Sequence, residues 1–227
     1  MTAPARVLTA SRTLTAVKGK ALSFDGVDDY VDCGNDESLH PNHFTWEAWI
    51  NRAVDDFSED HIISPGPQRQ FGIRNKKLWF YSLETGHFYG ITELESNRWY
   101  HVAVTFDGTE VILYLNGKYE NSATGSPAGT SGNVFIGQFV LGGDYYFNGT
   151  IDEVRIYERA LSASEVLYNK EHPYNPILHG CVLWLGYDSI DEGAGIWRDK
   201  SGYGNNGTIY GATAVEMNKL AGRVLSV

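Results

Sequence analysis

The sequence predicts an all-β fold, two antiparallel sheets packed as a sandwich, on three observations. Short apolar runs recur along the chain with Gly and Asn turns between them, and such spacing is the mark of sandwiches and barrels. Gly 25 and Tyr 14 against Met 2 favour strands and turns over helices. Helix is expected only as one short turn near 162–168, where Ser162 is followed three residues on by Glu165, the spacing of a capping box. With 227 residues, 42% of them hydrophobic, the chain can bury a sizeable core as one domain or as one domain with an appendage.

Residues 1–19 are rich in Ala, Thr and Ser and read as an arm or an added edge strand. In 20–33, Leu22 and Phe24 precede the Asp25-Gly26 turn, and Tyr30 and Val31 follow it. Phe44–Ile50 alternates Phe44, Trp46, Ala48 and Ile50 against Thr45, Glu47 and Trp49, a strand with one face in the core. Residues 53–69 are polar and end in Pro65-Gly66-Pro67, which predicts a long loop around Ile62-Ile63. Strands are expected at 71–73, 78–83 and 88–91, then at 99–106 and 111–115 around the Asp107-Gly108 turn. Residues 121–132 read as a flexible loop, 134–136 as a short strand. The last strand of this series carries Ile151, Val154, Ile156 and Tyr157.

The net charge is −10 and the pI about 5.1. That argues against nucleic acid as a partner, because phosphate binding needs a Lys/Arg surplus, and it suits divalent cations. No window reaches the length of a membrane span, so no membrane insertion is expected. The N-terminus lacks the apolar run of a signal peptide. Cys33 and Cys181 are too few for a disulfide framework; one bridge and two buried thiols both remain open.

Three blocks resemble the laminin-G-like, concanavalin-A-like jelly-roll family. They are Ala-Leu-Ser-Phe-Asp-Gly-Val-Asp-Asp-Tyr-Val at 21–31, Trp-Tyr-His-Val-Ala-Val-Thr-Phe-Asp-Gly at 99–108, and Phe-Asn-Gly-Thr-Ile-Asp-Glu-Val-Arg-Ile-Tyr at 147–157. The middle block is shared in outline with pentraxins. Residues 180–213 resemble the segment that normally opens such a domain, yet here they come last. The resemblance therefore implies a jelly-roll over 20–170, a linker at 171–179 and a permuted or exchanged segment at 180–227. That segment would complete a sandwich in its own chain or in a neighbour; the third reading, the start of a second domain, ranks last because about 35 residues without a partner sheet bury no core.

The resemblance also implies calcium near the first strand pair and the closing strand. Matched by motif, its ligands are Asp25 and Asp152, with Asp199 and Asn206 as weaker additions and Asp28 and Asp29 as another option. The alternative is that Asp25 makes its own turn and Asp152 pairs with Arg155 or Arg159. Glycan binding is the family's common use, with rings stacking on sugar faces; Trp79, Tyr81, His87, Tyr89 and Tyr145 are the ligand-binding candidates, with Phe88 and Tyr146 beside them. The three alternating carboxylates of glucan-cutting relatives are missing. Glu93 and Glu95 alternate without a third, and Asp152 and Glu153 face opposite sides. There is no Gly-x-Ser-x-Gly and no phosphate loop. The expectation is a non-catalytic adhesion module that recognises a glycan or a surface protein, supported by calcium. The alternative is a structural virion or surface-assembly protein that self-associates through exchanged terminal segments. Either implies an extracellular or particle-surface location.

Overall fold

A computed structural model describes residues 16–56, 58–125, 129–139 and 145–220. The strands are β1 (Ala16–Asp25), β2 (Tyr30–Asp32), β3 (Phe44–Arg52), β4 (Glu59–Pro65), β5 (Arg69–Arg74), β6 (Lys77–Ser82), β7 (Gly86–Glu93), β8 (Trp99–Phe106), β9 (Glu110–Leu115), β10 (Lys118–Thr124), β11 (Val134–Ile136) and β12 (Asn148–Tyr157). One helix, α1 (Ala163–Glu171), follows, and then β13 (Cys181–Asp191), β14 (Ile196–Asp199), β15 (Gly207–Tyr210) and β16 (Thr213–Leu220).

All pairings are antiparallel and run in one path, β10-β9-β8-β3-β12-β13-β14-β15-β2-β11-β4-β5-β6-β7; β1 pairs with β12 and β16. The path curls over itself until its two ends meet. There the Glu120 carboxylate accepts the N–H groups of Ile91 (2.7 Å) and Thr92, and Asn121 Nδ2 donates to the Tyr89 carbonyl at 2.8 Å. Side chains thus cap an edge that would otherwise expose unpaired backbone groups.

The core between the sheets holds the inward face of β3, with Phe44 stacked on Trp46 at 4.5 Å and Phe80 of β6 against both. A second, smaller apolar cluster lies under α1, where Val166 and Leu161 meet Ala103, Tyr114, Tyr157 and Trp184. The Ser162–Glu165 capping box is formed, and the helix runs past the expected turn to Glu171.

Two expected loops are strands. Within 53–69, β4 pairs with β5 and β11; its polar residues Glu59 and His61 alternate with the core residue Ile62, which composition alone disguised. Within 121–132, β10 extends to Thr124 because it pairs with β9 through a bulge. The tail pairs within this chain: β13 lies on β12, β15 on β2 and β16 on β1. β1 starts at Ala16, inside the expected arm; residues 1–15 lie outside the described residues. Cys33 and Cys181 are both free and buried.

Candidate functional site

The ring candidates gather on the outer face of β4–β7. Residues directly opposite in an antiparallel ladder share a face, so the register writes out rows that cross the strands. Glu59–Arg74–Lys77–Glu93 is one row, His61–Gly72–Trp79–Tyr89 the next, and Gln70–Tyr81–His87 the third. The inner face of the same strands carries Phe71, Ile73, Leu78 and Phe80 into the core.

Within these rows the rings touch. His61 meets Trp79 edge-on (5.5 Å, 87°) across Gly72, which contributes no side chain. Trp79 meets His87 at 5.4 Å, and His87 meets Tyr81 at 4.9 Å and Tyr89 at 6.3 Å. At the β4 side Phe139 stacks on His61 (5.0 Å) and Tyr145 approaches it at 5.8 Å. Of the five ligand-binding candidates, Tyr81, His87, Tyr89 and Tyr145 reach the surface. Trp79 is 0% exposed; it forms the floor beneath its neighbours, so its predicted role as a ligand contact is corrected to that of a support. Phe88 packs against the core.

A polar chain ties the rings in place. Ser64 Oγ lies 3.1 Å from His61 Nδ1, His61 Nε2 3.0 Å from Glu59, Glu59 3.1 Å from Arg74 Nε, and Arg74 Nη1 3.2 Å from His87 Nδ1. Burial pushes both imidazoles below their ordinary pKa, and the Arg74 charge adds to the effect at each. Neutral rings therefore fill the face at neutral pH. Beside Tyr89 a shallow hollow of about 440 Å³ is lined by Asn75, Lys77, Tyr89, Gly90 and Glu93. His61, Phe139, Glu59, Arg74 and Lys77 were missed by sequence reasoning. Alternation at 59–62 could have flagged His61, whereas the rows need the register.

The residues proposed for a metal do not all meet. Asp25 stands opposite Asn148, which puts Asp152 four residues further along β12, about 13 Å away at strand spacing. Asp152 is 1% exposed and accepts the Glu153 N–H at 2.9 Å. Asp199 lies beyond β13 and organises its own turn, accepting N–H groups from Trp184, Ser201, Gly204 and Asn205 and the Ser201 hydroxyl. Asn206 Oδ1 accepts the Asp199 N–H. What does converge is Asp25, Asp28 and Asp29, with one oxygen from each within 4.8 Å of the others. Burial raises the Asp29 carboxyl, and the charges of Asp25 and Asp28 raise it further against one backbone hydrogen bond. Arg155 pairs with Glu47 and Glu153, and Arg159 with Glu165.

Antiparallel strands curled into one nearly closed wall, with rings displayed on an outer face, make this a jelly-roll sandwich. The chain belongs to the concanavalin A-like lectin/glucanase superfamily, whose laminin-G-type profile matches residues 25–167, more than half of it. Among solved structures it is similar to a Bacteroides ovatus protein for which carbohydrate binding is the proposed role. The two are 25% identical with a TM-score of 0.70, over 87% of this chain and 59% of that one. This chain thus spans about six tenths of that protein. It also resembles a heptameric pentraxin of Limulus polyphemus (19% identity, TM-score 0.54, 70% of this chain and 84% of that one). Domain 4 of an extracellular arabinanase from Geobacillus stearothermophilus, solved with arabinotriose, is similar at 23% identity and TM-score 0.51, over 69% and 80%. These last two share the fold alone. A search of curated proteins finds no match. Among the described residues no helix is long and apolar enough to cross a membrane.

Proposed function

We propose that the protein is a non-catalytic module that binds a glycan on the outer face of β4–β7. One observation carries the reading: the strand register brings Trp79, Tyr81, His87 and Tyr89 into contact with one another, next to a row of charged side chains. Rings supply flat apolar surface for the C–H faces of a sugar, and Asn75, Lys77 and Glu93 around Tyr89 offer donors and acceptors for its hydroxyls. This mixture of apolar platform and a few polar groups is what small-ligand sites require. The similarity to the Bacteroides ovatus protein supports it. The superfamily also includes glucanases, but Glu59 of this face is already paired with Arg74 and His61. An extracellular setting follows from the proposed ligand.

Calcium belongs to the same proposal as a structural support. Asp25, Asp28 and Asp29 would hold it, since a hard cation takes carboxylate and carbonyl oxygens and three acids this close repel one another without one. The donor chemistry fits, although Asp25 Oδ1 already accepts the Val27 N–H at 2.8 Å. The assembly alternative rests on exchanged segments, whereas the tail here fills strand positions beside its own β12, β2 and β1.

The test is a screen of the whole chain on a glycan array, followed by calorimetry with the hits. Replacing Tyr89 with Ala is expected to weaken binding by about tenfold, the ~1.4 kcal/mol of one good contact. Hits whose affinity is untouched by Tyr89→Ala and Tyr81→Ala would sink the assignment of this face.

A further inference from the structure

Resting on the glycan reading, we infer that this face takes the interior of a polysaccharide chain laid across β4–β7, and not a single terminal sugar. The exposed rings stand in two groups. Phe139 and Tyr145, the latter 42% exposed, lie at the β4 side against His61. Tyr81, His87 and Tyr89 lie on β6 and β7. Between the groups His61 and Trp79 are fully buried beneath their neighbours and meet across Gly72, so the ring contacts open to a ligand stand at the two sides of the face. Gly72 cannot carry a side chain there, because a Cβ would fall 2.1 Å from the Asp60 carbonyl oxygen.

From β4 to β7 is three strand spacings, about 14 Å at ~4.8 Å each, which one sugar ring does not cover and roughly three linked units do. The charged row runs the same way for the same distance: Glu59, Arg74, Lys77 and Glu93 flank the rings at every strand. A site for one sugar needs polar partners only around one hollow. Here charged groups continue across the sheet: Glu59 and Arg74 are paired with each other, while Lys77 and Glu93 line the hollow, so a repeating ligand meets polar groups at each strand. The hollow at Asn75, Lys77 and Tyr89 then serves as one station on a longer track.

Calorimetry on the intact chain tests this with neutral gluco-, xylo-, manno- and arabino-oligosaccharides of one to six units. Affinity is expected to rise at least tenfold from one unit to three or four and then level off. Tyr145→Ala should weaken the longest ligand about tenfold and leave the shortest unchanged, while Tyr89→Ala weakens both. Tyr145 lies at the surface, so its removal leaves the fold intact, which circular dichroism checks. Equal affinity for one unit and six, or a six-unit ligand indifferent to Tyr145→Ala, overturns the chain-binding inference alone. Failure of every series to bind overturns the glycan reading and takes this inference with it.

Discussion

Replacing Arg155 with Met probes the polar layer buried under α1. Arg155 is fully buried and donates to Glu47 at 2.9 Å, to Glu153 at 2.5 Å and to the Pro173 carbonyl. Glu47 and Glu153 are equally buried. Burial works against the charge on Arg155 most strongly, but the two carboxylates outweigh it and raise its pKa. Burial likewise opposes ionisation of Glu47, and His101 with Arg155 overcomes it, holding the carboxyl below its ordinary range. Arg155→Met leaves two buried carboxylates without a cation, with Asn169, His101, Trp184 and the Tyr187 N–H as their partners among the described residues. Removing one partner of a buried pair costs about 3–5 kcal/mol. At about 2–4 °C per kcal/mol for a chain of this size, the melting temperature falls by roughly 6–20 °C. Urea and thermal unfolding followed by circular dichroism at pH 7 read this out. Glu47→Gln and Glu153→Gln added to Arg155→Met remove the stranded charges and should recover part of the loss. The pH dependence has a defined sign. Glu47 is held low in the fold, so its contribution is complete above the ordinary carboxylate value of 4.5 and is lost as pH falls through the lowered one. A loss below about 1 kcal/mol for Arg155→Met, or a triple variant no better than the single one, would refute the claim that this cation neutralises the layer.

Two further outcomes concern the binding face and the acid cluster. His87 is held neutral by burial and by Arg74, against a smaller pull from Glu59, and touches Trp79, Tyr81 and Tyr89. Ligand affinity should therefore be constant above the ordinary imidazole value of 6.5 and fall as acid puts a second positive charge beside Arg74; His87→Gln should flatten that profile in calorimetry at stepped pH. If calcium binds Asp25, Asp28 and Asp29, saturating it at a hundred times its Kd adds about 2.7 kcal/mol, or roughly 5–10 °C in melting temperature. Chelation should reverse this gain and Asp29→Asn should abolish it, and an unchanged melting curve with and without calcium would remove the ion from the proposal.

The parts of the fold legible in the sequence were those where period and turn chemistry agree. β3 announced itself through Trp46, Ala48 and Ile50, and β8 and β9 through Asp107-Gly108. β4 was hidden because its outward residues Glu59 and His61 are polar and its bulge after His61 breaks the alternation. The spread of the metal candidates has a related reason. Asp25 and Asp152 are each signalled by a neighbouring motif, but whether two strands bring them together depends on register, and β1 meets β12 four residues away from the required position. Glu153 shows the same limit. It sits in the strand bulge with φ 53°, a conformation uncommon outside glycine, and so it turns toward Arg155 and Trp184. Strict alternation would have sent it to the side opposite Asp152 without saying what it meets there.

The two outer faces of the sandwich explain why binding is assigned to one of them. On β3, β8 and β12 the outward residues Glu47, His101, Arg155 and Tyr157 are polar or charged, yet all are buried: Asn169 of α1 donates to Glu47 and to the Tyr157 hydroxyl, the Pro173 carbonyl accepts from Arg155, and His101 packs against Trp49 and Glu47. That face is sealed, and its charges are consumed internally. On β4–β7 the covering residues are themselves rings, Phe139 and Tyr145, and Tyr81, His87 and Tyr89 keep access to solvent. Of the surface rings, His87 ends a polar chain that starts at Ser64 and packs against Tyr81 and Tyr89, so it has already lost much of its rotamer freedom. A ligand that stacks on it has less ordering to cover from its own binding energy. The rigid, half-open aromatic face, and not the acid-rich layer on the other side, is where recognition by this chain is expected to occur.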